Sequence, residues 1–176
     1  DEPGRRRIEE ERPSPPRFSV SSYILSVQTT TLADILPVET ASVEETMALG
    51  ERVAVHLQPG DVVALYGDLG AGKTHLVKGI ARALGVDEAA VSSPTFTIVQ
   101  EYAGEVPIYH IDAYRVDDPD EFYELGYEEY VYGDGLCLIE WPGRVETLLP
   151  DDAIRLRLTH QGGDRRRIEY IVDDGK

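Results

Sequence analysis

A single cysteine, Cys137, stands among 176 residues, which excludes an internal disulfide and any metal site built on several thiolates. It lies in the apolar run Leu136-Cys137-Leu138-Ile139, the setting of a buried, inert thiol. Lysine is almost as scarce, with only Lys73, Lys78 and Lys176 against 14 arginines. No apolar stretch approaches the ~20 residues that a membrane-spanning helix requires. The arginines at positions 5–7 are followed by Glu9, Glu10 and Glu11, where a secretory leader would carry its apolar segment. A reducing cytoplasm is the expected location, with no membrane partner. Positive charge is in deficit overall: 33 Asp and Glu against 17 Lys and Arg give a formal net charge of -16, which excludes a general electrostatic grip on nucleic acid or anionic lipid. Two origins of this composition stay open. One is selection for solubility in concentrated salt, where screening relieves self-repulsion; the other is genome composition. A melting temperature that climbs steeply through molar KCl would mark the first.

Hydrophobic residues make up 41% of the chain, enough for the core of one domain but not for two catalytic domains at this length. Residues 1–37 hold five of the 11 prolines and a mixed-charge block without periodicity, and they read as a flexible tail with room for a short strand at most. Residues 38–176 carry 12 basic and 27 acidic residues, so the acidity belongs to the folded domain. Within it, Ser42-Val43-Glu44-Glu45 forms a capping box ahead of Met47, Leu49, Val53 and Leu57 at helical spacing, and Pro59-Gly60 ends that helix. Residues 61–66 form a mostly apolar strand, and a glycine-rich turn leads from it into a second amphipathic helix ending near Leu84-Gly85. Strands are expected at residues 96–102 and 108–114 around Gly104, and at 136–139. An acidic segment at 117–132 reads as a short helix with loops, and residues 154–159 and 167–172 as an antiparallel hairpin.

The turn after the first long strand reads Gly67-Asp68-Leu69-Gly70-Ala71-Gly72-Lys73-Thr74, the phosphate-loop pattern. Glycines permit the positive backbone dihedrals that turn successive N–H groups inward, and the following helix adds its N-terminal partial charge. Lys73 is placed to reach outer phosphates and Thr74 to ligate magnesium. Gly79 in the helix allows close packing on the sheet. A nucleotide hydrolase also needs a carboxylate at a neighbouring strand end. Glu140 follows the continuous apolar run of a central strand and is by pattern the better metal carboxylate; Asp112, after Ile108-Tyr109-His110-Ile111, would orient or deprotonate the attacking water, or the two exchange roles. His110 reads as a half-buried strand residue rather than a ligand. Arg115 and Arg144 suit surface or ion-pair roles better than an arginine finger. Trp141, the only tryptophan, is open between core packing and a contact surface.

The order of four blocks, the loop of residues 67–74, Ser93-Pro94-Thr95-Phe96-Thr97, Tyr109-His110-Ile111-Asp112-Ala113-Tyr114-Arg115 and Leu138-Ile139-Glu140-Trp141-Pro142, resembles the TsaE (YjeE) family. The resemblance covers residues 42–151 and leaves the N-terminal tail outside. It implies a small bacterial ATPase that supports threonylcarbamoyladenosine modification of transfer RNA together with TsaD, which performs the transfer, and TsaB. Under it ATP and magnesium are the cofactors, Lys73 is the phosphate lysine, Thr74 and Glu140 are magnesium ligands, and Asp112 is the second essential acid. Thr95 to Thr97 resemble a loop that senses the outer phosphate, Val43 lies near the nucleotide base, and the last hairpin near Arg165 closes over it. His75 departs from the second Thr or Ser common in the family, although imidazole still offers a hydrogen bond near the α-phosphate. Transfer RNA would be reached only through the protein partners, given the acidic surface.

The expected fold is α/β and P-loop NTPase-like: a mixed, largely parallel sheet centred on the strand before Gly67, helices on both faces, and antiparallel strands at an edge. Two other functions fit the loop. A small-molecule phosphotransferase would need a lid and an acceptor pocket, and no arginine-rich lid lies between Asp117 and Asp134. A nucleotide-gated binding module with incidental hydrolysis would differ by lacking partner-stimulated turnover.

Overall fold

The computed structural model describes residues 30–171; residues 1–29, which make up most of the expected tail, and residues 172–176 lie outside the described part. The seven strands are β1 (Val38–Thr40), β2 (Val62–Tyr66), β3 (Val99–Ala103), β4 (Pro107–Asp112), β5 (Leu136–Glu140), β6 (Ile154–His160) and β7 (Arg166–Tyr170). They form one sheet in the order β1-β7-β6-β2-β5-β4-β3. The central β6, β2, β5 and β4 run parallel, whereas β3, β7 and β1 pair antiparallel with their neighbours. The expected antiparallel edge strands are present, and they lie at both edges of the sheet. Short hairpins force antiparallel pairing of β3 with β4 and of β7 with β6, because only antiparallel neighbours can be joined by a few residues, whereas the edge strand β1 reaches β7 from the other end of the domain.

Period-two alternation divides the central strands between two cores. Val63 and Leu65 of β2 and Leu136 and Leu138 of β5 face one side, with α2 (Val43–Ala54) and α3 (Lys73–Ala83). Val62, Ala64, Cys137 and Ile139 face the other, against Phe122 of α4 (Pro119–Glu124) and Tyr127 and Val131 of α5 (Tyr127–Val131). Every residue of β5 is buried, and each such aliphatic side chain contributes ~1.5–3 kcal/mol over an exposed one. Cys137 is buried as its apolar run implies, and burial pushes its thiol pKa up.

Half of the expected capping box forms: Ser42 Oγ accepts from the Glu45 N–H at 3.1 Å, while the Glu45 carboxylate accepts from the Ala41 N–H at 2.7 Å, one residue before the N-cap. Gly79 packs against α2 rather than the sheet. A Cβ there would stand 1.9 Å from the Met47 carbonyl oxygen, and one at Gly50 would stand 2.4 Å from that of Leu76. Leu76, Val77 and Ile80 already occupy the sheet-facing side of α3, so the two glycines are left to the helix–helix contact. Arg82 locks the same pair, bonding Glu44 and Glu51 of α2 and Glu88 beyond α3.

Packed structure also precedes Val38. Leu32–Ile35 forms a helical turn, α1, in which Asp34 Oδ2 accepts from the Thr31 N–H and hydroxyl at 2.6 and 2.8 Å. Leu36 is only 6% exposed and joins the α2–α3 core. One turn is too short to show periodicity in sequence.

Candidate functional site

β2 stops at Tyr66, and the backbone turns through Gly67, Gly70 and Gly72 with φ of 148°, 78° and 97°. A side chain at Gly67 would stand 2.4 Å from the Leu158 carbonyl oxygen. Gly72 caps α3 in the left-handed conformation without a side-chain bond, which leaves the first helical N–H groups open to an anion. Lys73 is buried at the start of α3 and donates from Nζ to the carbonyls of Gly67 at 2.6 Å and Asp68 at 2.9 Å. Its ammonium lies 4.1 Å from the Trp141 ring centre. Burial pushes Lys73 below the ordinary lysine pKa, against the opposing pull of Glu140, Asp112 and Asp68.

The two strand-end acids are neighbours across the sheet, Asp112 pairing with Glu140 in the β4–β5 ladder. Glu140 Oε1 accepts from the Thr74 hydroxyl at 2.8 Å. Asp112 Oδ2 accepts from Ser93 at 2.5 Å and Thr95 at 3.0 Å, while its Oδ1 accepts from the Tyr114 N–H at 2.9 Å. The only non-glycine residues with positive φ among those described, Ile98 and Trp141, flank these acids. Ile98 accepts from the Asp112 N–H through its carbonyl at 2.8 Å, and Trp141 follows Glu140 directly. Side chains in that region of dihedral space cost ~1–3 kcal/mol each and cluster where geometry is fixed for function.

Lys73, Thr74, Asp112 and Glu140 line one cavity of about 280 Å³, together with Leu69 and His75. Two buried nitrogens beside it, His75 Nδ1 and Arg166 Nε, have no hydrogen-bond partner. Arg166 lies against the loop, its Nε 3.4 Å from where a Cβ of Gly72 would be. Unpaired buried polar atoms next to a glycine cradle and open helical N–H groups fit an anionic ligand such as a phosphate chain. The hydroxyl and carboxylates of Thr74, Glu140 and Asp112 are hard oxygen donors of the kind magnesium takes. A larger recess of about 490 Å³ lies on the other side of Gly67 and Asp68 and contains none of these four side chains.

A sequence profile described as threonylcarbamoyl adenosine biosynthesis protein TsaE matches residues 40–168. The chain belongs to the TsaE family. Among its relatives, the tRNA threonylcarbamoyladenosine biosynthesis protein TsaE of Bacillus subtilis is 45% identical over 134 residues, 76% of this chain and 83% of that protein. The protein of the same name from Treponema pallidum is 41% identical over 127 residues, 72% of this chain and 93% of its own. The crystal structure of Bacillus subtilis YdiB superposes with a TM-score of 0.64 at 40% identity, covering 77% of this chain and 83% of that one. The fold is that of a P-loop NTPase.

Not every TsaE-type site residue expected from sequence reaches the cavity. Lys73, Thr74, His75, Thr95, Asp112, Glu140 and the loop residues Leu69, Gly70 and Gly72 line it. Gly67 and Asp68 meet Lys73 through their carbonyls, and Ala71 is buried beneath the loop. Val43 sits at the start of α2, outside the cavity lining. Arg165 points elsewhere, 4.0 Å from Glu39; the next residue, Arg166, is the one on the loop. Arg115 lies 4.4 Å over the Phe96 ring, and Arg144 is exposed. Trp141 is half-buried in the wall of the site, its ring tilted against that of Tyr114 at 4.9 Å between centroids. His110 is fully buried rather than half-buried, and it touches Glu140.

Proposed function

We propose that this TsaE-family chain is a magnesium-dependent ATPase that supports threonylcarbamoyladenosine modification of transfer RNA in the cytoplasm. In this reading it hydrolyses ATP to ADP and phosphate, slowly alone and faster in association with TsaD and TsaB. The observation that carries it is the Thr74–Glu140 hydrogen bond beside the Lys73 cradle, a hydroxyl–carboxylate pair with the donor chemistry of a magnesium site. Lys73 would exchange the Gly67 and Asp68 carbonyls for the outer phosphates of ATP. Thr74 and Glu140 would hold magnesium, which would supply neutralisation of charge on those phosphates. Asp112, on the adjacent strand and bonded to hydroxyls rather than to Thr74, orients the attacking water and takes its proton as the bond to the leaving ADP breaks. His75 and Arg166 bring the two unpartnered nitrogens to the phosphate chain.

The surface favours recruitment through proteins rather than direct contact with RNA. In the one basic run of the folded domain, two of the three arginines face carboxylates, Arg165 and Arg167 with Glu39 at 4.0 and 3.7 Å and Arg167 with Glu169 at 2.9 Å, and the third, Arg166, lies against the loop. The test is phosphate release by the purified chain, alone and with matching TsaD and TsaB. Stimulation by both, lost in Lys73→Ala, is the expected result. Hydrolysis indifferent to the two proteins, or unaffected by Lys73→Ala, would overturn the reading.

A further inference from the structure

His110 precedes Asp112 by two residues on β4 and therefore faces the same side of the sheet. Its relative exposure is 0%. Nε2 lies 2.9 Å from Glu140 Oε1, and Nδ1 lies 3.4 Å from the Tyr102 hydroxyl, which is itself 3.3 Å from the Ser92 carbonyl oxygen. A carboxylate can only accept, so the proton on this contact belongs to His110 Nε2, which leaves Nδ1 to face the Tyr102 hydroxyl. The bonds from Thr74 and His110 both fall on Oε1 of Glu140. A histidine needed only to fill space between β4 and β5 would not need its Nε2 aimed at the single carboxylate that also meets Thr74.

We propose that His110 is a positioning residue for Glu140. When the Thr74 hydroxyl turns from Glu140 to a divalent cation, His110 keeps Oε1 partnered and the carboxylate plane fixed. The magnesium requirement of nucleotide binding then depends on a donor at the Nε2 position. This rests on the site reading above, in which Thr74 and Glu140 hold magnesium. Partners that orient a metal ligand from behind typically change metal affinity about 10- to 100-fold when removed.

Two amide substitutions separate orientation from simple packing. In His110→Gln the side-chain nitrogen falls near the place of Nε2 and can still donate to Glu140. In His110→Asn it falls near Nδ1 and cannot reach. Trp141, the only tryptophan, lies against Lys73 and supplies a fluorescence signal for nucleotide without turnover. With the full chain and ADP, magnesium chloride is titrated and the half-saturating concentration is read. His110→Gln is expected within about threefold of the wild type and His110→Asn at least about tenfold higher, with magnesium-free ADP affinity unchanged in both. An asparagine variant with the wild-type requirement overturns the proposal, as does equal impairment of the two. If the asparagine variant does not fold, the glutamine variant decides alone, a rise of more than tenfold overturning the proposal. A wild type whose ADP binding ignores magnesium refutes the site reading itself and is recognised before any variant is made.

Discussion

Glu140 and Asp112 end adjacent parallel strands at paired positions, yet they are held in opposite ways. Glu140 is gripped from the interior, by a fully buried imidazole and by the first turn of α3. Asp112 is gripped from the rim, by Ser93 and Thr95 of a segment whose next residue, Phe96, is 85% exposed. The same strand geometry thus yields one acid fixed by the core and one acid whose partners belong to a surface turn. A fixed carboxylate suits a ligand that must meet a defined coordination shape. One tied to a surface segment can couple the chemistry to whatever contacts that segment.

The contrast can be broken most sharply at Glu140. Glu140→Ala should lower ATP hydrolysis by about a thousandfold or more and remove the magnesium dependence of nucleotide binding together; phosphate release and an ADP titration with and without magnesium report both. Asp112→Asn should cut hydrolysis by about a hundredfold while leaving magnesium-dependent ADP affinity within about threefold. If it weakened magnesium-dependent binding as much as Glu140→Ala does, the two acids would not differ in role. The hydroxyl partners should matter less. Ser93→Ala and Thr95→Ala each remove one bond worth ~1 kcal/mol, about fivefold in hydrolysis, and a loss as large as that of Asp112→Asn would contradict the assignment. Phe96→Ser should change stability by less than ~1 kcal/mol, since the exposed ring loses only its contact with Arg115, and thermal unfolding would show whether the rim segment is as uncoupled from the core as its exposure implies.

The parts of the site that the sequence displays are contiguous. The loop of residues 67–74 carries its chemistry in eight successive positions, and the apolar run before Glu140 marks a strand buried on both faces, which β5 is. Contacts between distant segments were harder to read. That His110 meets Glu140 depends on the register that pairs Asp112 with Glu140, and no local pattern specifies a register between parallel strands. The hairpin arginine differs, because a signal was present. Ile168 faces the core, and alternation then turns Arg166, two residues earlier, inward and leaves Arg165 outside. Gly79 faces α2 and not the sheet, because the apolar stripe of α3 already covers the sheet-facing side of that helix. Antiparallel pairing at the β3 edge follows from a hairpin, but at the other edge β1 pairs with β7 from the far end of the domain, a non-local contact that no segment of the sequence displays.

The most direct measurement is a crystal structure of the chain with manganese in place of magnesium and a non-hydrolysable ATP analogue, with the metal located by anomalous scattering. The ion is expected beside the Thr74 hydroxyl and Glu140, the terminal phosphate within reach of Lys73, and Asp112 facing that phosphate without replacing Glu140 at the metal. Manganese bound away from both Thr74 and Glu140, or a nucleotide seated in the larger recess beyond Gly67 and Asp68, would contradict that assignment.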